Sequence, residues 1–105
     1  MIDIIYDPAK NARNIEKRGL SFELVKRLEW DTISIRDVTR PEYRERRFRA
    51  WGLIEDRLYV LIYTMRDGMM RVISFRKANS RERKMYDEEI DEANYEKETP
   101  ESVFD

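Results

Sequence analysis

Several residue types are missing or scarce in this chain of 105 residues, and each absence excludes a class of chemistry. Without cysteine no disulfide framework can form, so the cytoplasm is the expected compartment. Because histidine is absent as well, Ser-His-Asp and Cys-His catalysis and Cys/His zinc sites are excluded. The only glycines, Gly19, Gly52 and Gly68, are too far apart for a phosphate-binding or dinucleotide-binding loop.

Long hydrophobic runs are also absent. The longest uncharged stretch rich in apolar residues is 58–65, which suits a β-strand and is too short to cross a bilayer, so no membrane partner is predicted. Asp3 and Asp7 interrupt the apolar N-terminus, and no cleavable signal is expected. The length predicts one domain over residues 1–96, followed by an acidic, flexible tail over residues 97–105.

The net charge of −1 conceals a division along the chain. Residues 1–86 contain 20 of the 21 lysines and arginines and 13 of the 22 acids, a net charge of +7. Residues 87–105 contain one lysine and nine acids, a net charge of −8. A basic body is typical of proteins that bind polyanions, and the acidic end either shields that surface or is a solvated helix end.

The hydrophobic pattern predicts an α+β fold with the element order β-α-α-β-β-β-β-α and a mainly antiparallel sheet of four to five strands. After a short first strand, Asp7-Pro8 is typical of a helix start and Gly19 of a helix end. The buried stripe of this helix is predicted to be Ala9, Ala12 and Ile15. A second helix, capped by Ser21, is predicted to bury Phe22, Val25 and Leu28.

Four strands are then predicted, at residues 32–38, 45–52, 59–64 and 69–76. Asp67-Gly68 predicts a hairpin turn between the last two strands. Asn79, followed three residues later by Glu82, resembles a capping box and begins a final helix. The buried stripe of that helix is predicted to be Tyr86, Ile90 and Ala93.

Arginine and lysine residues crowd the predicted strands and the start of the last helix. They are Arg47, Arg49, Arg66, Arg71, Arg76, Lys77, Arg81, Arg83 and Lys84. Guanidinium groups are permanently charged and planar, which suits phosphate, and cross-strand neighbours lie about 5 Å apart, so several could converge on one phosphodiester. The alternative, equally weighted on composition, is a solvated sheet face with ion-paired arginines, such as Arg71 with Glu45. The aromatic residues are expected to belong mostly to the core, although Trp51, Tyr63 and Tyr86 are near the cationic segments and are candidates for stacking on an unpaired base.

RNA cleavage does not require histidine. The 2′-OH is an internal nucleophile, so an enzyme must align it, assist its deprotonation and stabilise the charged phosphorane. Arginines can supply the stabilisation, and a glutamate, tyrosine or lysine can assist the proton, giving a 2′,3′-cyclic phosphate and a 5′-hydroxyl. No metal or other cofactor is predicted. A carboxylate-bound magnesium site stays open, although no spacing of the acids points to one.

Three motifs in order resemble the BrnT family of type II toxin–antitoxin ribonucleases, over roughly residues 2–88. The N-terminal motif, aromatic-Asp-x-x-Lys…Asn-x-x-Lys-His-Gly-x-x-Phe, is matched at Tyr6, Asp7, Lys10, Asn14, Lys17, Gly19 and Phe22. The middle motif is matched at Glu45, Arg47, Phe48 and Gly52. The last is matched at Arg71, Val72, Ile73, Ser74, Arg76, Ala78, Glu82, Arg83 and Tyr86. Arg18 stands where the family usually has histidine. That histidine is either a proton carrier, which this chain would lack, or a helix-end residue that interacts with the C-terminal carbonyls. We favour the second role, which arginine can also fill.

The resemblance implies a RelE-like fold, RNA cleavage that inhibits translation, and neutralisation by a BrnA-like ribbon-helix-helix antitoxin, which alone would bring the complex to operator DNA. It implies phosphate and transition-state contacts for Arg47, Arg71 and Arg76, and a proton acceptor in Glu45. RNA contacts are predicted for Lys10, Lys17, Arg49, Arg66, Lys77, Arg81 and Arg83. Capping, turn or packing roles are implied for Asp7, Gly19, Ser74 and Ala78, and Glu82 is expected to hold an arginine in place.

Two rival functions remain at this point. The first is a non-catalytic, toxin-fold co-repressor that acts with a DNA-binding partner, an interpretation motivated by Arg18 and the acidic tail. The second is a polyanion-binding domain without an antitoxin.

Overall fold

The computed structural model describes the backbone of residues 3–98 and the side chains of residues 3–93. Its strands are β1 (Ile4–Ile5), β2 (Ser34–Asp37), β3 (Phe48–Ile54), β4 (Arg57–Arg66) and β5 (Met69–Lys77). Its helices are α1 (Pro8–Arg18) and α2 (Ser80–Glu98), with 3₁₀ helices at Phe22–Arg27 and Trp30–Thr32. Residues 99–105 of the predicted tail lie outside the described residues.

The strands form one mixed sheet in the order β1-β5-β4-β3-β2. The pairing of β1 with β5 is parallel and the other three pairings are antiparallel, as the sequence predicted for most of the sheet. Asp67 and Gly68 both have positive φ angles, 53° and 78°, which fits the two-residue hairpin turn predicted between β4 and β5. No helix in the described part of the chain is both long and apolar enough to cross a membrane.

The two faces of the sheet are covered unequally. One face packs against the segment between α1 and β2 and forms the larger core, which buries Leu20, Phe22, Val25, Leu28, Ala50, Leu61, Tyr63, Met70, Val72 and Phe75. The opposite face is covered by α2 at a smaller cluster of Trp51, Leu58, Val60 and Tyr86. The rest of that second face carries polar and charged residues.

The predicted second helix is a single 3₁₀ segment. Ser21 caps it as expected, because its Oγ accepts the Glu23 backbone N–H at 3.1 Å. Phe22, Val25 and Leu28 are all buried, as predicted. Their spacing of three residues matches the three-residue turn of a 3₁₀ helix, which aligns them on one side.

The buried stripe predicted for α1 is wrong. Ala9, Ala12 and Ile15 are exposed, and α1 has no buried residue. The helix instead turns Asn11 and Asn14 towards the body of the protein. Asn11 Oδ1 accepts the Phe22 N–H at 2.8 Å, and Asn14 Nδ2 lies 2.9 Å from the carbonyl oxygens of both Leu20 and Phe75. Hydrogen bonds to backbone therefore hold α1 at the edge of β5.

The start of α2 follows the predicted capping box. Asn79 Oδ1 accepts the Glu82 N–H at 2.8 Å, and a Glu82 carboxylate oxygen accepts the Asn79 N–H at 3.0 Å. Tyr86 is buried and donates its hydroxyl to the Thr32 carbonyl at 2.6 Å, and Ile90 packs beside it. Ala93, the third residue of the predicted stripe, is exposed.

Candidate functional site: an arginine face on the sheet

Strand alternation and register place five arginines on or beside β2, β3 and β5 on the face of the sheet that α2 covers at one end, and a sixth, Arg66 at the end of β4, lies on the same side. Arg36 on β2 lies opposite Arg49 on β3, and Arg71 and Arg76 project from β5 on the same side. Arg47 belongs with them, because its carbonyl accepts the Val38 N–H and continues the β2–β3 ladder by one residue. We call these five residues the arginine face.

Two of these arginines are held by carboxylates of α2. Arg76 donates from Nη1 and Nη2 to the two oxygens of Glu82, at 2.8 and 2.9 Å. Arg36 Nη2 donates to Glu89 Oε1 at 2.7 Å, and Glu89 Oε2 accepts the Ser34 hydroxyl at 2.6 Å. Glu82 and Glu89 lie about two helical turns apart, so α2 places one carboxylate near each side of the sheet face.

Arg47 is held more loosely. Its Nη2 lies 3.5 Å from Glu45 Oε1, at the limit of a hydrogen bond, and its guanidinium lies 4.0 Å from the centre of the Tyr43 ring. The alternative pairing considered from sequence, Glu45 with Arg71, does not form.

Arg49 and Arg71 have no carboxylate partner among the described residues. The Arg49 guanidinium lies 4.0 Å from the centre of the Trp51 ring, and its Nε is buried without a hydrogen-bond acceptor in the described part of the chain. Burial lowers the pKa of Arg49 and the positive charge of Arg36 lowers it further, whereas the negative charges of Glu89 and Glu82 act in the opposite direction. The open part of the face therefore contains two guanidinium groups that form no direct ion pair within the described residues and that an anion could bind.

A family model described as "Ribonuclease toxin, BrnT, of type II toxin-antitoxin system" matches residues 6–82. The chain belongs to this BrnT family. No curated protein gave a significant match. Membership identifies the chain as a ribonuclease toxin of a type II toxin–antitoxin system, with RNA as substrate and a protein antitoxin as partner.

The BrnT match runs from Tyr6, just before α1, to Glu82, which forms the ion pair with Arg76. It therefore contains the whole arginine face. Glu82 pairs with an arginine, as the resemblance implied, and it also closes the capping box of α2. One carboxylate thus fixes both the orientation of Arg76 and the start of the helix that borders the face.

The structure gathers only some of the predicted site residues. Glu45, Arg47, Arg49, Arg71 and Arg76 lie on or beside the arginine face. Arg66 is exposed near the β4–β5 turn, on the same side of the sheet as Arg71. Arg81 is exposed on α2, and Lys10 and Lys17 are exposed on α1. Lys77 pairs with Tyr59 in the register, which places it on the opposite side of the sheet from Arg76.

Arg83 has a structural contact. Its Nη1 donates to the Asp56 carbonyl at 2.7 Å, in the β3–β4 turn, and its Nε donates to Asp87. This arginine ties α2 to the β3–β4 turn.

The aromatic residues predicted to stack on RNA bases are not accessible. Trp51, Tyr63 and Tyr86 are only 2 %, 6 % and 3 % exposed, because each belongs to one of the two cores. Trp51 instead supports Arg49 from below. Tyr43, beneath Arg47, is the partly exposed aromatic residue nearest the face in the described region.

Sequence reasoning missed Arg36. The alternation of the predicted strand at 32–38 already placed Ser34 and Arg36 on one side, but only the pairing of β2 with β3 brings Arg36 beside Arg49. Arg18, which replaces the usual histidine, lies in the exposed last turn of α1 and not on the arginine face. Within residues 3–93 no three carboxylates cluster as metal ligands.

Acid is expected to weaken the contact between α2 and the arginine face. Hydrogen bonding from Arg76 lowers the pKa of Glu82, and hydrogen bonding from Ser34, then Arg36, lowers that of Glu89. At pH values between the folded and the unfolded pKa of these two glutamates, the unfolded chain binds more protons than the folded chain. The free energy of unfolding therefore falls as the pH drops below about 4.3.

Glu82→Gln should reduce the free energy of unfolding by about 1 kcal/mol at pH 7, since the neutral amide forms a weaker contact with Arg76. The difference in the free energy of unfolding between the variant and the unmodified protein should become smaller as the pH falls below about 4.3. Urea denaturation at a series of pH values can measure this difference. Glu88→Gln, at an exposed position of the same helix, is the matched control. A gap independent of pH would contradict the role given to Glu82.

Proposed function

We propose that this BrnT-family chain is a metal-independent endoribonuclease that inhibits translation in the cytoplasm by cutting RNA, on a RelE-like fold. Its proposed antitoxin is a BrnA-like ribbon-helix-helix protein, through which alone the complex would reach operator DNA. The observation that carries this proposal is the pair of guanidinium groups of Arg49 and Arg71, which form no ion pair among the described residues and lie on one sheet face inside the matched region.

The proposed chemistry depends on which arginines lack an ion-pair partner among the described residues and which are bound to a carboxylate. Arginine keeps its proton at any physiological pH, so it acts by electrostatic stabilisation and not by proton transfer. Arg49 and Arg71 would bind the non-bridging oxygens of the scissile phosphodiester as negative charge develops in the phosphorane. Arg76, fixed by two hydrogen bonds to Glu82, would hold the phosphate in a defined orientation.

Glu45 is the proposed proton acceptor. Its carboxylate lies beside Arg47 at the border of the face and is about a third exposed. It would take the proton of the 2′-OH as that oxygen bonds to phosphorus, and the 5′-oxygen would leave and be protonated by solvent. The products would be a 2′,3′-cyclic phosphate and a 5′-hydroxyl, with no bond to a metal at any step.

The test is cleavage of a defined messenger RNA by the purified chain in excess EDTA, with and without ribosomes, followed by analysis of the RNA ends. We expect cyclic-phosphate and 5′-hydroxyl ends, and the same rate when magnesium replaces EDTA. Cleavage that appears only with added magnesium would contradict metal independence.

The co-repressor is the second candidate, and the ion pairs of Arg36 and Arg76 favour it, because carboxylate-bound arginines are also typical of a purely structural network. Intact RNA from a folded protein, together with normal growth of cells that express the chain alone, would favour this candidate over the nuclease.

A further inference from the structure

A second positively charged surface lies beside the arginine face, along the edge of β5. A groove of about 260 Å³ runs between α1 and this edge. The residues that the argument uses are Lys10, Arg13, Lys17 and Arg18 on α1, with Ile73 and Ser74 on β5. The groove is lined by four cationic side chains and no carboxylate, and none of the four forms an ion pair within the described residues.

The groove exists because the first strand is short. β1 covers β5 only at Met70 and Arg71, so the following residues of β5 have α1 beside them and no strand. The β4–β5 register shifts at Ile62/Tyr63, which leaves Ile73 unpaired as a β-bulge. Asn14 holds α1 against this edge through the Phe75 carbonyl. The cations on α1 are therefore fixed relative to the sheet.

Ser74 joins the groove to the arginine face. It lines the groove, and in the register it lies opposite Ile62, which in turn lies opposite Arg49. Arg71 is three residues earlier on the same strand and on the same side of the sheet. A chain of phosphates bound at Arg49 and Arg71 thus has a continuous path over Ser74 onto α1.

We propose that this groove binds the backbone of single-stranded RNA next to the scissile phosphodiester, an inference that rests on the proposed nuclease function. Lys10, Arg13 and Lys17 recur at helical spacing and extend about 10 Å along the helix axis, enough for more than one phosphate. A strand that leaves the sheet face and bends around the edge of β5 must be flexible, which excludes a rigid duplex and suits single-stranded RNA.

The composition of the groove favours RNA over a protein partner. The exposed apolar residues of α1, Ala12 and Ile15, follow helical spacing onto the side away from Lys10 and Lys17. A protein partner would gain apolar contact on that other side. The groove itself offers charge of one sign and hydrogen-bond donors, which are the features of a phosphate track.

The test compares the binding of a trinucleotide and a dodecanucleotide RNA, both 2′-O-methylated so that no nucleophile is present and no cleavage occurs. Fluorescence anisotropy would be measured over a series of salt concentrations with the full chain. For Lys10→Ala/Lys17→Ala we expect about tenfold weaker binding of the dodecanucleotide, a salt slope smaller by about 1.4, and unchanged trinucleotide binding. Lys26→Ala/Arg27→Ala removes the same charge from exposed positions of the first 3₁₀ helix and should change neither affinity.

The possible results distinguish a failure of the groove proposal from a failure of the proposed nuclease function. Equal dodecanucleotide affinity in both double variants, with melting temperatures unchanged, would overturn the groove but leave the arginine face in place. Loss of antitoxin binding with RNA binding retained would assign the groove to the protein partner and also overturn the proposal. If the unmodified chain binds neither oligonucleotide at low salt, the proposed nuclease function itself fails.

Discussion

Arg71→Ala is expected to reduce RNA cleavage in EDTA by about 10²–10³-fold, the cost of removing one preorganised donor from a developing oxyanion. Arg71 has no ion pair in the described region, so its guanidinium remains free to bind phosphate. Because its side chain forms no hydrogen bond or ion pair in that region, the free energy of unfolding should change by no more than about 0.5 kcal/mol. The rate is measured with excess enzyme, in a single turnover, so that product release does not mask the chemical step.

Arg57→Ala is the matched control for Arg71→Ala. Arg57 is exposed at the start of β4, and its position opposite Ile54 places it on the other side of the sheet from the arginine face. The two variants change the net charge equally, so a general loss of RNA attraction would affect both. If cleavage by the Arg71→Ala protein equals that of the unmodified chain, the reaction centre is not on this face.

Asn14→Ala is expected to lower the free energy of unfolding by about 1–3 kcal/mol, an effect usually associated with a core residue. α1 contributes no buried side chain, and Asn14 donates to two backbone carbonyls, of Leu20 and Phe75, both at 2.9 Å. Removal of the amide leaves two partly buried acceptors unsatisfied and frees the helix from the edge of β5. Urea denaturation measures the change, and an unaltered m value would show that the unfolding reaction stays the same.

Ile15→Ala is the informative comparison for Asn14→Ala. Ile15 is the largest apolar residue of α1, yet it is 46 % exposed, so its truncation should cost less than about 0.5 kcal/mol. A hydrophobicity argument predicts the opposite order. An Ile15→Ala protein less stable than Asn14→Ala would show that α1 docks through its apolar side and would contradict the observed orientation.

The helix caps and the hairpin turn are the features that the sequence predicted best. The helix starts at Asp7 and Asn79 and the turn at Asp67-Gly68 were all predicted and confirmed. Each depends on groups that lie within a few residues of one another, so the local sequence contains everything that decides it. Apart from the 3₁₀ segment at Phe22–Arg27, the element types were predictable for the same reason, because alternating and helical periodicities are local properties.

The inward side of α1 was not predictable in this way. Whether a helix turns its apolar or its amide side chains inward depends on what it meets, and α1 meets the open backbone edge of β5, where Asn14 can donate to a carbonyl. The 3₁₀ form of the segment after it likewise follows from how Phe22 and Val25 fill the core.

The arginine face combines both kinds of determinant. Sequence alone determined that the chain has no cysteine or histidine, that its body is basic, and that Arg47 and Arg49 share one side of a strand, because composition and alternation are properties of the chain itself. Tertiary structure decided that Arg36 lies beside Arg49, that Glu89 pairs with Arg36, and that Arg49 and Arg71 have no ion-pair partner among the described residues. Arg36 and Glu89 are 53 residues apart in sequence, and only the strand order and the path of α2 across the sheet bring Arg36 beside both Arg49 and Glu89.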